Sequence, residues 1–80
     1  MFYVYILLST KDHKYYYGST NNIERRFFEH NCGKVDSTKN RRPLKLHYVE
    51  TFNERKDALK REFFFKKRSG YKWLKMKEII

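Results

Sequence analysis

The chain has little with which to staple or stiffen itself. Its 80 residues include one cysteine, one proline and three glycines. With Cys32 alone, no internal disulfide can form. Small extracellular domains usually rely on such staples, so a cytoplasmic protein is expected. No apolar run is long enough to span a membrane. The start, Met1-Phe2-Tyr3-Val4, has neither a basic region nor a small-residue cleavage site, so no signal peptide is expected. There is no P-loop, GxSxG, zinc motif or CxxC pair, and His13 and His47 lack metal-ligand spacing. Repeats, low-complexity tracts and linkers are also missing. One small domain over residues 1–80 is expected.

Acidic residues are scarce as well. Nineteen Lys and Arg stand against nine Asp and Glu, a formal charge of +10. The excess is uneven. Residues 1–32 carry four basic and three acidic side chains, residues 33–53 five and two, and residues 54–80 ten and four. The first part is nearly neutral and the rest strongly basic, which points to a polyanionic partner. Seven Tyr, seven Phe and one Trp are interleaved with these cations, a mixture that favours nucleic acid. No helix here is cleanly basic on one side and apolar on the other, which weighs against a membrane surface. The same aromatics supply the core that so short a chain needs.

Periodicity divides the chain into elements. Phe2–Leu8 is apolar on both strand faces and reads as a central strand. Ser9–His13 is turn-like, and Tyr15–Ser19 is a second strand, so a hairpin is expected. Asn21 or Asn22 caps a helix over Ile23–Cys32, stopped by Gly33. Residues 34–43 form a basic loop closed by Pro43. Leu44–Phe52 is a third strand with Leu44, Leu46 and Tyr48 on one face. Asn53 caps a second helix that runs to about Arg68 and ends at Ser69-Gly70. Tyr71–Ile80 forms a last helix with Trp73, Met76 and Ile80 on one side. The order β-β-α-β-α-α implies an α+β fold, a small three-stranded antiparallel sheet flanked by helices.

A few residues stand out chemically. A two-residue turn at Lys11-Asp12 or Asp12-His13 puts Tyr5 and Tyr16 on one face of the hairpin. A three-residue turn puts them on opposite faces unless a bulge intervenes. Taken singly, strand tyrosines are packing residues. Arg26 and His30 lie one helical turn apart, beside the apolar stripe of Ile23 and Phe27, while Arg25 and Glu29 point outward. A guanidinium at a sheet edge suits phosphate; the plain alternative is a cation snorkelling to solvent. His30 alone reads as a satisfied buried histidine. Glu62 falls between Ala58 and Leu59 on the apolar face that they form with Phe63. A carboxylate there needs a cation, either an ion pair such as Arg26 or a metal. One carboxylate can hold a Mg²⁺ that keeps its waters and binds substrate phosphate.

In this order the residues resemble the GIY-YIG nuclease superfamily, across essentially the whole chain. Val4-Tyr5 matches the GIY element, with Tyr3 where the glycine would be, and Tyr16-Tyr17-Gly18 matches YIG. Ser19 to Arg26, followed by His30, resembles the family's first helix, and Ala58 to Glu62 the segment with its metal-binding glutamate. Ser37-Thr38-Lys39 with Arg41-Arg42-Pro43-Leu44 is similar to the small stand-alone bacterial members. The chain departs in having Ser19 where some members have lysine, and no asparagine after Glu62.

The resemblance implies a divalent-metal-dependent endonuclease, with one Mg²⁺ or Mn²⁺ on Glu62. Tyr5 or Tyr16 would help activate water, Arg26 would steady the scissile phosphate, and His30 would assist proton transfer or orient a tyrosine. The expected substrate is DNA before RNA, cut by structure rather than sequence, as in DNA repair or recombination. Lys39, Arg41, Arg42, Lys45, Lys66, Lys67 and Arg68 are the candidate nucleic-acid contacts. Two other functions fit the residues: a non-catalytic nucleic-acid-binding module on the same fold, and a subunit whose basic face docks an acidic protein.

Overall fold

The computed structural model describes residues 1–80. Three antiparallel strands, β1 (Phe2–Ser9), β2 (Tyr15–Thr20) and β3 (Leu44–Phe52), form one sheet in the order β2-β1-β3. Helix α1 (Ile23–Asn31) follows β2, and α2 (Arg55–Phe65) and α3 (Arg68–Met76) follow β3. A short 3-10 turn over Lys39–Arg41 lies in the long loop. The order is the expected β-β-α-β-α-α. No helix is long and apolar enough to cross a membrane.

The central position of β1 follows from its composition. Val4, Tyr5, Ile6 and Leu7 are all buried, so neither face can be left to solvent. Tyr5 and Leu7 pack with Leu44 under Ile23 and Phe27 of α1. Val4 and Ile6 pack on the other face with Ala58 and Phe65 of α2 and Leu74 of α3. The sheet is the middle layer of a three-layer sandwich.

In the β1–β2 hairpin, Tyr5 stands opposite Gly18 and Leu7 opposite Tyr16, so Tyr5 and Tyr16 share the α1 face. The connection is longer than the expected two residues. Ser9 and Lys14 close it (Ser9 N–H to Lys14 carbonyl, 3.0 Å), and Thr10–His13 form the loop. Four residues preserve the parity that two would have given. Ser9 Oγ accepts from the N–H groups of Lys11 and Asp12, both at 3.1 Å.

Strand β3 has the expected limits but not the expected faces. Its register against β1 slips once: Ile6 pairs with Tyr48 and Leu7 with Leu46, leaving His47 as the extra residue of a bulge. Leu44 and Leu46 therefore lie on the α1 side, and Tyr48 joins Ile6 and Phe65 on the other.

The helix ends differ more. Asn22 caps α1, its side chain accepting from Arg25 N–H at 3.1 Å. The N-cap position of α2 is Glu54, not Asn53, and has no side-chain cap bond. The buried face of α2 holds Ala58 and Phe65, whereas Phe63 is 63% exposed. Ser69-Gly70 does not end α2; both residues lie in the first turn of α3. A Cβ on Gly70 would overlap the Phe64 carbonyl oxygen, so glycine is what allows α3 to approach the end of α2. Met76 is 71% exposed rather than part of a buried stripe. Arg61 lies over the Trp73 ring at 4.3 Å and donates to Glu50 at 2.7 Å, so this charge among the rings has a partner.

Candidate active site

The site begins at the Tyr5 hydroxyl. The ring points to the α1 face, and its oxygen comes up under Gly18 of the neighbouring strand. A Cβ at Gly18 would lie 2.5 Å from that oxygen, so any larger residue would expel the phenol. His30, on the last turn of α1, meets it from the helix side, with 2.9 Å between Nε2 and the hydroxyl. The other ring nitrogen, Nδ1, is 2.7 Å from Thr38 Oγ1. Tyr16 packs edge-on against the same imidazole with centroids 5.1 Å apart. Its hydroxyl makes no hydrogen bond within the chain.

Arg26 stands one turn before His30. It is half-buried, pairs with Glu29 at 3.3 Å, and lies beside the Tyr5 hydroxyl. Burial works against its charge, but Tyr5 and Glu29 outweigh that and hold its pKa above the ordinary value. Burial pushes the Tyr5 phenol up to about 12; Arg26 opposes this, while the charges of Tyr16 and Glu62 add to it. His30 is pushed down to about 4, first by burial and then by the Arg26 charge. At neutral pH the imidazole is uncharged and the phenol keeps its proton.

The structure brings Tyr5, Tyr16, Arg26 and His30 together on one face. Glu62 comes from the other face, on α2. Its Oε1 accepts from Ser19 Oγ at 2.6 Å and its Oε2 from Lys66 Nζ at 2.7 Å. Its ion-pair partner is thus Lys66, one turn along the same helix, and not Arg26. Tyr16, Arg26 and His30 gather about Tyr5, whose phenol also feels the Glu62 charge. Ser19 follows Gly18 on the edge strand, so one dipeptide makes room for the phenol on one face and holds the carboxylate on the other.

A cleft of about 440 Å³ opens between α1 and α2 at the end of β2. Ser19, Arg25, Arg26, Glu29 and Arg55 line it, with Phe2, Ala58 and Leu59 as its apolar wall. Arg25 and Glu29, expected to point outward, therefore face this opening. The sequence reading missed Arg25, Arg55 and Thr38. Nothing local marked Arg55, an exposed cation at a helix start. Thr38 lay in a loop, where no periodicity reports burial.

The basic residues singled out earlier are scattered. Arg41 is tied to Asp12 at 2.8 Å and Arg42 to the Lys39 carbonyl at 2.8 Å. Lys39 and Arg42 border a second, open pocket with Lys11 and Asn31. Lys45, Lys67 and Arg68 are exposed, with no ion pair.

Glu62 suits a hard cation. It is a carboxylate with a hydroxyl alongside, and it already attracts an ammonium. No group of three or more His, Cys, Asp or Glu side chains gathers anywhere. The remaining donors would have to be water and substrate oxygens.

The GIY-YIG catalytic domain matches residues 1–75. The chain belongs to the GIY-YIG family. Within it, similarity runs to the small bacterial UPF0213 proteins. One from Bacillus licheniformis is 47% identical over 68 residues, covering 84% of this chain and 69% of that protein. One from Staphylococcus haemolyticus is 44% identical over 77 residues, covering 95% and 93%. The solution NMR structure of a UPF0213 protein from Bacillus halodurans shares the fold, with TM-score 0.55, 33% identity, and coverage of 92% of this chain and 82% of that one. A GIY-YIG catalytic domain suggests a nuclease-type activity.

Proposed function

We propose that the protein is a divalent-metal-dependent endonuclease that hydrolyses phosphodiester bonds of nucleic acid, DNA first, with selection by shape rather than sequence. The observation that carries this reading is the convergence of Arg26, His30 and Tyr16 on the Tyr5 hydroxyl. Arg26, at the cleft wall, binds a phosphate oxygen with its planar fork. The Tyr5 oxygen takes a proton from the attacking water while its own proton passes to Nε2 of His30. The water oxygen forms the new bond to phosphorus. The bond to the leaving oxygen breaks with its electron pair, and that oxygen takes a proton from solvent. The Tyr16 hydroxyl, free of protein partners, orients the water or a phosphate oxygen. A divalent ion on Glu62 would supply Lewis-acid stabilisation of the phosphate charge. Arg25 and Arg55 guide the backbone into the cleft, and Lys39, Arg42, Lys45, Lys67 and Arg68 extend the field around it.

A non-catalytic binding module is the second reading. The engagement of Glu62 by Lys66 and Ser19, with no second carboxylate, supports it. The experiment that separates the two is a cleavage screen over single strands, flaps, junctions and structured RNA with Mg²⁺ and Mn²⁺. Wild type should cut at least one of these, while Glu62→Gln and Arg26→Ala should not. Glu62→Gln should still bind. Neutralising Arg25 and Arg55 together should flatten the salt dependence of binding by about two units if both touch phosphates. Binding without cleavage by any protein would leave the module reading standing.

A further inference from the structure

We propose that Thr38 is a positioning residue for this site, holding His30 in the tautomer that carries its proton on Nδ1, so that Nε2 is free to accept from Tyr5. The proposal rests on the nuclease reading for its consequence but not for its test.

Thr38 has no local reason to be where it is. It stands at the cap position of the 3-10 turn, yet its hydroxyl makes no cap bond. It is 0% exposed, as is His30. The backbone pins it: its N–H donates to the Val35 carbonyl at 3.1 Å, and its own carbonyl accepts from Arg41 N–H at 2.9 Å. The hydroxyl faces His30 Nδ1 at 2.7 Å and the Val35 carbonyl at 3.5 Å.

Three protons must be placed among Tyr5, His30 and Thr38. A carbonyl can only accept, and a guanidinium can only donate. The Tyr5 hydroxyl has one hydrogen-bond partner in the chain, Nε2 of His30. If His30 carried its proton on Nε2, the Tyr5 proton would have no acceptor. If His30 carries it on Nδ1, every proton has a place. Tyr5 donates to Nε2, Nδ1–H donates to Thr38, and Thr38 donates to the Val35 carbonyl. No buried side-chain nitrogen or oxygen is left without a partner. The chain of bonds runs in one direction, out of the cleft and into the loop.

Thr38 thus acts on the reaction through His30. An imidazole with the opposite tautomer presents a proton to Tyr5 and cannot take one. For a general base of this kind the expected loss on misorientation is about tenfold or more in rate.

The test is a long-range ¹H–¹⁵N spectrum of the ¹⁵N-histidine-labelled protein at neutral pH. In wild type, the bare nitrogen of His30 should be Nε2. Thr38→Val, close in shape but without the hydroxyl, should move the proton to Nε2 or mix the tautomers, and Thr38→Ser should keep the wild-type signature. Cleavage by Thr38→Val should fall in kcat with KM little changed. A bare Nδ1 in wild type overturns the proposal, as does a Thr38→Val spectrum identical to wild type. If Thr38→Val does not fold, the wild-type and Thr38→Ser spectra still decide. A protein that shows the Nδ1–H tautomer but cuts nothing would defeat the nuclease reading and leave this one intact.

Discussion

The two faces of the sheet use aromatic residues in opposite ways. On the α2–α3 face, Tyr17, Tyr48, Phe64, Phe65 and Trp73 lie around Val4, Ile6 and Leu74, ring against ring. A charge on this face, Arg61, is covered by three rings and paired to Glu50. On the α1 face, Tyr5 and His30 turn polar atoms toward one another, with Tyr16 edge-on to the imidazole and Arg26 alongside. The first arrangement buries area. The second lowers the pKa of an imidazole far below its value in water, whereas each face raises a phenol to about 12, Tyr5 on one and Tyr48 on the other. The same strand, β1, feeds both, because successive residues point to opposite faces.

If this division is real, damage on one side should be felt as stability and on the other as chemistry. The largest effect should come from Phe65→Ala, which empties a site that is 1% exposed. A loss of about 3–5 kcal/mol in unfolding free energy is expected by denaturant titration. Surviving folded protein should keep the His30 tautomer. A small stability change there would break the comparison.

Tyr5→Phe should do the reverse. It removes one buried hydrogen bond and leaves Nε2 unpaired, at a cost of about 1–2 kcal/mol. Cleavage of any substrate found in the screen should drop about 10²- to 10⁴-fold. A variant that cuts as wild type does would remove the Tyr5 hydroxyl from the reaction.

Acid sharpens the contrast further. The folded state holds the His30 pKa down at about 4, against an ordinary 6.5, so between those values the unfolded chain binds the extra proton. The stability tied to neutral His30 is complete above about pH 6.5 and is lost as pH falls toward 4. Asp12, lowered to about 2 by Arg41 from 3.8, acts in a separate and more acid window. Urea midpoints measured from pH 7 to 4 should decline in wild type and stay flatter in His30→Gln. Parallel curves would mean that another group titrates.

The smallest effect concerns Lys66. Its ammonium holds the Glu62 oxygen at 2.7 Å, where it competes with any divalent ion. Lys66→Met should tighten Mn²⁺ binding about twofold, as suits a partly exposed i,i+4 pair, and Glu62→Gln should abolish it. Spin-resonance titration of free Mn²⁺ reads both. Unchanged affinity in Lys66→Met would place the ion elsewhere.

Much of this was legible in the residues. Strand alternation located all three strands, and parity placed Tyr5 and Tyr16 on one face even though the turn had a different length. Helix rotation put Arg26 beside His30. Where reading failed, a signal carried two meanings. Three consecutive phenylalanines at 63–65 allow more than one apolar face, and the structure buries Phe65 and exposes Phe63. Gly70 could end a helix or admit a neighbour, and it does the second. Thr38 stood in a run similar to the small family members, but no periodicity marked it as buried. Its burial depends on where a loop without repeat returns to the helix.

The bulge at His47 makes β3 a strand read in two frames. Before it, odd and even positions serve one assignment of inside and outside; after it, the other. Leu44 seals the reactive side, and four positions later Tyr48 and then Glu50 serve the hydrocarbon side, where Tyr48 donates to Glu50 at 2.6 Å. Deleting His47 would therefore act like a frameshift in protein form. Either Leu44 and Leu46 or Tyr48, Glu50 and Phe52 would swap sides. A carboxylate would then be pressed against α1, or two leucines drawn away from it. Length in this strand is information, because one residue decides which face every later side chain takes.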